Sequence, residues 1–354
     1  MNINDYINYY GDYSFDQRPF NEVDNLIFAV LSYVNFSNII EKKTTLEEAG
    51  NKFFEKYSEE DIKKNILEIR SAIKFFKNIK DKNRFKNIIM SNYVYIGNEE
   101  SQFSVVTFKI AKDTYYVSFE GTDQLISGWE ENLKMAYRFP VKAQTFAKDY
   151  LNKNFTFKRC KLIVGGHSKG GNLALVSSMY ANYFVKKKII GIYNYDGQGL
   201  RLAQINSKQY ESIENRYFHI IPNHSFVGLL LRHKDNYVVI KSNKRGLLAH
   251  DAFTWEVSYD HLVKDKLSRS SKIFEIGFGK WLDSYDDEKR KLFVDEIFKV
   301  LYDNNIRDLT DIKIKKELII GIIKSSKNIK PIVKEMFFDL IKLIGKTNLE
   351  IPLF

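Results

Sequence analysis

The chain has 354 residues, 44% of them hydrophobic and 15% aromatic, with a formal net charge of +11. This composition excludes a disordered chain, and the length suits one large α/β domain with an extension or two modest domains. The lysines are spread along the chain and indicate a solvated basic surface. Without a recognised motif or clustered arginine, we expect no nucleic-acid binding.

A single cysteine, Cys160, excludes an intramolecular disulfide and fits a reducing compartment, so we expect a cytoplasmic location. Residues 1–6 have neither the basic nor the apolar region of a secretion signal. No run reaches the roughly 18 apolar residues needed to span a bilayer. The nearest, residues 318–323, is flanked by lysines.

The first 80 residues predict an aromatic arm followed by helices. Residues 1–20 read as an irregular arm anchored by tyrosine and phenylalanine side chains. Apolar residues at helical spacing follow Asn21, which is a favourable N-cap. Residues 45–80 are charge-rich with a helical period, and we expect their helices to cover one side of a sheet.

Strand patterns dominate the middle of the chain. A hairpin is predicted across Lys112–Asp113. The predicted strands are 94–96, 103–110, 114–119, 162–164, 189–195, 217–221 and 237–241, and helices are predicted at 144–151 and 172–185. This alternation predicts an α/β fold with a mainly parallel central sheet, an antiparallel edge and flanking helices. From about residue 260 the pattern is helical, with Pro331 opening the last helix.

The segment Lys161–Ala174, KLIVGGHSKGGNLA, contains G-x-S-x-G between a predicted strand and a predicted helix. A serine nucleophile needs such a sharp turn, because the turn exposes its oxygen and leaves no room for side chains at Gly166 and Gly170. The backbone N–H of Lys169 then points at the developing oxyanion. We therefore predict Ser168 as the nucleophile of an α/β-hydrolase; the alternative is a glycine-rich loop that tightens the junction.

The general base should follow the last strand of such a sheet. His250 lies there, and His224, after the preceding strand, is the runner-up. Three of the six histidines suit the role less, because His167 lies inside the turn, His219 inside a strand and His261 at the start of the tail. His233 remains a candidate beside His250 and His224. The alternative for His250 is a surface or structural histidine.

The acid that orients the base is predicted to be Asp196, which follows strand 189–195 directly. A carboxylate in this place could instead be a turn aspartate that bonds its own backbone. The commoner place is after the next strand, where Asn223–Ser225 offers no carboxylate. Asp235 and Asp251 are the alternatives, and Asp251 is disfavoured because it adjoins His250.

The second oxyanion donor is predicted at Thr122, after Gly121 in the loop that ends an earlier strand. Trp129, with Leu125 and Ile126, could form an apolar lip over the site or a packed loop; the sequence does not separate a lid from a loop.

The motifs VSFEGTD, GW, GGHSKGGNLA and YNYDGQG, together with the opening segment FNEVDNLIFAVLSYVNFS, resemble a bacterial lipase-like α/β-hydrolase family, Mbeg-like, distantly related to class 3 lipases. The resemblance covers about residues 5–257 and leaves the tail outside. It implies a serine esterase with Ser168 as nucleophile and no cofactor or metal. Thr122 inherits the oxyanion role of the FRG-type strand end, with Glu120 in place of the arginine, and the placement of Asp196 is similar to that in pancreatic-type lipases.

We thus predict an α/β-hydrolase domain with an N-terminal helical segment at 1–258 and a helical extension at 259–354. The predicted function is hydrolysis of a small-molecule or lipid carboxylic ester through an acyl-enzyme at Ser168, although a thioesterase or peptidase would use the same residues. The alternative is a catalytically silent binding module at an anionic membrane surface or a partner protein. The lysine excess and the apolar stripe Ile319, Ile322, Ile323 favour it.

Overall fold

The computed structural model describes residues 1–234, 237–308 and 329–347 of the chain. Through this part runs a sheet of eight strands whose spatial order follows the sequence. The strands are β1 Lys43–Thr45, β2 Ile89–Gly97, β3 Gln102–Ala111, β4 Thr114–Phe119, β5 Lys161–His167, β6 Ile189–Tyr195, β7 Tyr217–Pro222 and β8 Val238–Ile240. Pairing is antiparallel from β1 to β4 and parallel from β4 to β8. The predicted parallel sheet with an antiparallel edge is confirmed.

Helices cover both faces of this sheet. They are α1 Ile3–Tyr10, α2 Glu22–Leu31, α3 Leu46–Lys56, α4 Glu59–Lys63, α5 Leu67–Ile79, α6 Ile126–Lys134, α7 Lys142–Phe155, α8 Lys169–Tyr180, α9 Tyr183–Lys186, α10 Leu202–Ile205, α11 Lys208–Glu211, α12 Arg269–Ser284, α13 Asp287–Asp303 and α14 Pro331–Lys346. Successive side chains of a strand point to opposite faces. Accordingly Val105 packs into the core built with α7 and α8, whereas Val106 packs into the core built with α2 and α5.

The N-terminal arm is not irregular, as predicted, but begins with helix α1. Asn2 accepts hydrogen bonds from the N–H groups of Asn4 and Asp5, and the Asp5 carboxylate accepts from the N–H of Asn2. This capping box starts a helix in a segment of weak helix formers. Tyr6 does anchor the arm, since its buried hydroxyl donates to Asp24 over 2.9 Å.

Helix α2 is the helix predicted after Asn21, and it places the N-terminal segment against the middle of the sheet. The Asn21 side chain accepts from the N–H groups of Val23 and Asp24, as an N-cap does. All residues of α2 after the first are buried, and the helix packs on β4 and β5. Its C-terminal end therefore lies close to the end of β5, where the predicted nucleophile follows.

The C-terminal helices dock on the sheet domain through α6 and through β7 with the loop that follows it. Helices α12, α13 and α14 share one apolar core with Ile126 of α6. The Ile126 N–H donates to the carbonyl of Arg307 over 2.9 Å. Within the extension, the indole N–H of Trp281 on α12 donates to the carbonyl of Met336 on α14 over 3.1 Å. The element that follows the predicted oxyanion loop is thus packed against the C-terminal part of the chain.

The helical pattern of the tail begins later than predicted. Residues 257–262 form a small antiparallel sheet, Val257–Ser258 with His261–Leu262, and the first helix starts at Arg269. Pro331 is the first residue of α14, as expected. The run 318–323, with the stripe Ile319, Ile322 and Ile323, lies outside the described residues. No helix in the described ranges is long and apolar enough to cross a membrane.

Candidate active site

Ser168 stands alone between β5 and α8 in a strained backbone conformation, with φ 57° and ψ −131°. A residue other than glycine adopts such a conformation only when its surroundings enforce it. A Cβ at Gly166 would lie 2.5 Å from the carbonyl oxygen of Phe119, and one at Gly170 would lie 2.0 Å from the same atom. The two glycines therefore let the end of β4 approach the turn, and Ser168 has the backbone geometry that a nucleophile elbow requires.

Asp196 and His250 meet at the carboxyl end of the sheet, although 54 positions separate them. Asp196 is fully buried directly after β6, and its Oδ2 lies 2.6 Å from Nδ1 of His250. Its Oδ1 accepts from the N–H of Gly228 over 3.0 Å and from the Ser225 hydroxyl. Ser225 belongs to the loop after β7, which carries no carboxylate at Asn223–Ser225. Instead of supplying the acid, this loop donates a hydrogen bond to Asp196.

The Asp196 carboxylate determines the protonation chemistry of His250. It accepts the Nδ1 proton, which leaves Nε2 as the basic nitrogen of the neutral ring. Burial lowers the pKa of His250, but the hydrogen bond and the charge of Asp196 outweigh it, and the pKa is raised above its ordinary value. An imidazole held in this way is suited to accept a proton and to be stabilised as imidazolium.

His167 is engaged away from the serine, as the elbow geometry implies. Its Nε2 lies 2.8 Å from the carbonyl of His250, and its Nδ1 lies 2.9 Å from the hydroxyl of Tyr33. A carbonyl only accepts, so Nε2 carries the proton and Nδ1 accepts from Tyr33. Burial holds the pKa of His167 well below its usual range. The neutral ring thus holds the backbone of His250 at the residue that precedes Ser168.

The predicted oxyanion loop lies against the elbow. A Cβ at Gly121 would be 2.0 Å from the Tyr33 hydroxyl and 2.9 Å from the carbonyl of His167. The hydroxyl of Thr122 accepts from Asn132 Nδ2 over 2.6 Å, so it is occupied by α6. Among the described residues, the N–H groups of Thr122 and Lys169 donate no hydrogen bond to the protein. Both remain available to an oxyanion.

Two buried carboxylates flank Thr122. Burial, first, and the charge of Asp123, second, raise the pKa of Glu120 well above its usual range. Burial likewise raises the pKa of Asp123, whose Oδ1 accepts from the N–H of Leu125 over 2.8 Å. The positive charge of Lys169 acts against both shifts. Glu120, which by the resemblance stands in place of an arginine, is therefore a buried acid that interacts with Lys169.

In the described part of the chain, the side chain of Asp196 has hydrogen bonds to Ser225, Gly228 and His250 but to none of the remaining histidine candidates. His224 is half-buried near Arg245 and Asp265, and its pKa is lowered mainly by burial. His219 is buried and half-buried His233 stacks on it, with ring centroids 4.5 Å apart. His261 is exposed beside Asp260.

Of the alternative acids, Asp251 accepts from the N–H of Phe253 and caps a short 3₁₀ helix. Asp235 lies outside the described residues.

The side chain of Trp129 donates to the carbonyl of Asp123 over 3.1 Å and is 43% exposed, whereas Ile126 is buried against the C-terminal helices. Whether these residues form a lid stays a prediction.

Four side chains at the site were missed by sequence reasoning: Tyr33, Ser225, the buried side chain of Lys169 and that of its partner Glu131. The one available signal was the lysine in an otherwise small and apolar segment, which demands a buried carboxylate. In the described part of the chain, no group of three or more His, Cys, Asp or Glu side chains could hold a metal.

Comparison with known proteins decides the family. The sequence model of a family described as Mbeg1-like matches residues 79–299, more than half of the chain. The chain belongs to the Mbeg1-like family. The Mbeg1-like segment contains Thr122, Ser168, Asp196 and His250, and it begins after Tyr33. The expected membership of a lipase-like family is confirmed, and the tail is not outside it, since the match includes α12 and most of α13.

Two further comparisons add little to the Mbeg1-like assignment. No curated protein matches the chain. Among solved structures, the chain is similar to one described as "Crystal structure of M37 lipase", with 15% sequence identity and a TM-score of 0.36. The alignment covers 59% of this chain and 70% of that one.

Proposed function

We propose that this protein is a serine hydrolase of carboxylic esters. Two observations carry the proposal: Ser168 is strained at the β5–α8 turn, and His250 Nδ1 lies 2.6 Å from a fully buried Asp196. The ring of His167, which precedes Ser168 in the chain, has its centroid 4.5 Å from that of His250. A serine without such a partner is a weak nucleophile, whereas a nearby oriented imidazole can take its proton. Membership of the lipase-like Mbeg1-like family supports the same reading.

In the proposed reaction, Ser168 Oγ attacks the ester carbonyl carbon while Nε2 of His250 takes its proton. The negative charge on the carbonyl oxygen is stabilised by the N–H groups of Lys169 and Thr122, and the imidazolium is stabilised by Asp196. The C–O bond then breaks, His250 protonates the leaving alcohol, and an acyl-enzyme remains. Water, deprotonated by His250, attacks this acyl group and releases the acid and Ser168.

The proposed substrate is a small-molecule or lipid ester; a thioester or an amide would pass through the same tetrahedral intermediate. The single cysteine, Cys160, half-buried and unpaired, supports a reducing, cytoplasmic setting for the enzyme.

The test is labelling of the purified full chain with a fluorophosphonate probe, together with hydrolysis of p-nitrophenyl esters of increasing acyl length. We expect wild type to be labelled and active, and Ser168→Ala to be neither, with kcat reduced by a factor of about 10⁴ or more. Thermal unfolding of Ser168→Ala controls for folding. Equal labelling of the two proteins contradicts the proposal.

A second candidate function is a binding module at an anionic membrane surface. The side chains of Phe337, Phe338 and Ile341 on α14 are 46–58% exposed, on a chain of net charge +11. Apolar and basic residues on one helix favour contact with a lipid interface. Salt-sensitive binding to anionic vesicles that persists in Ser168→Ala, with no ester hydrolysis by wild type, favours this function over the first.

A further inference from the structure

The side chain of Lys169 is buried beneath the site, where the proposed reaction does not use it. Lys169 is 0% exposed, and its Nζ lies 2.6 Å from Glu131 Oε2 on α6 and 2.6 Å from the carbonyl oxygen of Gln102. A buried ammonium group is strongly destabilising unless it is paired and hydrogen-bonded. Lys169 and Glu131, which are 38 positions apart in the chain, thus stabilise each other as a buried ion pair.

Glu131 uses both oxygens to connect four segments. Its Oε1 accepts from the N–H of Ala143 at the start of α7 over 2.9 Å and from the hydroxyl of Ser101 over 3.0 Å. Its Oε2 accepts from Lys169. The carboxylate therefore ties the elbow to α6, to α7 and to the residue before β3, and its buried position is fully satisfied by hydrogen bonds.

Asn132, the residue after Glu131, contacts the predicted oxyanion loop. Asn132 Nδ2 donates to the Thr122 hydroxyl over 2.6 Å. Neighbouring residues of α6 thus contact the two residues whose N–H groups we assign to the oxyanion: Glu131 contacts Lys169, and Asn132 contacts Thr122. Helix α6 forms a bridge between the two donors.

We propose that the Lys169 side chain, Glu131 and Asn132 are positioning residues that fix the distance between the two oxyanion donors. The inference rests on the proposed ester hydrolysis. Donors act on the oxyanion only in the transition state, so displacing them lowers kcat and leaves KM nearly unchanged. A displacement of one donor by roughly 1 Å is enough to cost about 100-fold in rate.

Removing Lys169 alone also affects stability, because the carboxylate of Glu131 would then be buried beside an apolar side chain without its ion-pair partner. The informative protein is the double variant Lys169→Met/Glu131→Gln. It removes both charges, keeps the volume, and leaves a side-chain oxygen at position 131 to accept from Ala143 and Ser101. Replacing a buried ion pair by groups of similar volume often leaves stability unchanged.

The experiment compares the full-length wild type, both single variants and the double variant. Active sites are counted with a fluorophosphonate probe, kcat and KM are measured with a p-nitrophenyl ester, and Tm is recorded. We expect the double variant to unfold near the wild-type Tm while kcat per labelled site falls about 10- to 100-fold and KM changes less than about twofold. A double variant with wild-type kcat overturns the inference.

Asn132→Ala provides a second arm in case the double variant does not fold. It removes one half-buried hydrogen bond, and we expect the same loss in kcat at constant KM. Lys169→Met acts on one donor and Asn132→Ala on the other, but both alter the distance between the two. The combined variant should therefore lose less kcat than the product of the single losses. Unchanged kcat in Asn132→Ala contradicts the bridge.

Arg84→Met is the matched control, since Arg84 forms another fully buried ion pair, with Asp24 at 2.7 Å, at the start of α2. We expect it to lower Tm without changing kcat per labelled site. A wild type that neither reacts with the probe nor hydrolyses esters overturns the proposed function and the inference together. An active wild type with unaffected variants overturns the inference alone.

Discussion

Two side chains of the candidate site sit on positive-φ residues that are not glycine: Ser168 at 57° and Asp196 at 49°. Such conformations are unfavourable and persist only where neighbouring contacts enforce them. At Ser168 the enforcing contacts include the N–H bond to the Tyr195 carbonyl at 2.9 Å, and at Asp196 the N–H bond to Ile220 at 2.8 Å. The end of the sheet therefore orients both residues before any substrate arrives.

The raised pKa of His250 predicts the pH dependence of ester hydrolysis. The base must be neutral to accept the serine proton, so kcat/KM should fall on the acid side with a midpoint above the ordinary histidine value of about 6.5. Asp196→Asn removes the cause of the raised pKa. We expect its midpoint to move to lower pH and its kcat to fall by about 10⁴. The pH–rate profile of each protein checks this.

The control for this profile is Asp251→Asn, since Asp251 adjoins His250 but contacts the backbone of Phe253. We expect a kcat close to wild type and a much smaller shift of the midpoint. An acid limb that stays in place in Asp196→Asn would show that another group is titrating.

At the scale of elements, α6 is held from two sides. Its inner face contacts the elbow through Glu131, and its outer face contacts the C-terminal helices, where Tyr302 donates to Glu130 over 2.7 Å. The N–H of Ile126 donates to Arg307 on the same side. The C-terminal helices therefore support the candidate site, which gives a physical reason for the family match to continue into α13.

Trp281 tests this support. It is 9% exposed at the centre of the core shared by α12, α13 and α14, and it contacts Phe293 with ring centroids 5.6 Å apart. Trp281→Ala should lower the free energy of unfolding by about 3–5 kcal/mol. We also expect faster amide hydrogen exchange in residues 126–134, because α6 loses its outer contact.

Tyr183→Ala is the comparison for Trp281→Ala, since Tyr183 is 63% exposed on α9. It should leave both the unfolding free energy and the exchange of α6 close to wild type. Exchange in α6 that is equally slow in Trp281→Ala would mean that the extension does not brace this helix.

At the scale of the whole molecule, three histidines have lowered pKa values: the buried His167 and His219 and the half-buried His233. Burial is the main cause in each case, and for His233 it lowers the pKa to about 4. Below the ordinary histidine pKa, these three histidines bind protons in the unfolded state but stay unprotonated in the folded state. Their contribution to stability is therefore complete above about pH 6.5 and is lost as the pH falls toward 4.

His233→Phe isolates one of these contributions, because phenylalanine can keep the stack on His219 without a titrating group. Between pH 7.5 and pH 5, wild type should lose about 2 kcal/mol of unfolding free energy that the variant does not lose. Denaturant unfolding of both proteins at pH 7.5 and pH 5 measures the difference. An equal loss in both proteins contradicts the assignment.

Local sequence determined many of the helices, strands and turns, and the order in which the candidate site residues Ser168, Asp196 and His250 follow one another along the chain. The hairpin at Lys112–Asp113, the N-cap at Asn21 and the turn at Ser168 were predictable because each depends on residues close together in the chain. Asp196 and His250 were chosen because parallel strands end at one edge of a sheet, and the structure brings them within hydrogen-bond distance. Their catalytic roles stay predictions.

The capping box of α1, formed by Asn2 and Asp5, was just as local and was overlooked in favour of the aromatic residues around it. Three other contacts could not be found from local sequence, because they join different elements. They are the pairing of Lys169 with Glu131, the contact of Tyr33 with His167 and the stack of His219 on His233. The first two join residues 38 and 134 positions apart. A sequence states that a buried lysine needs a carboxylate, but only the packed chain selects which one, because that choice depends on the distances between elements that periodicity and motif spacing do not contain.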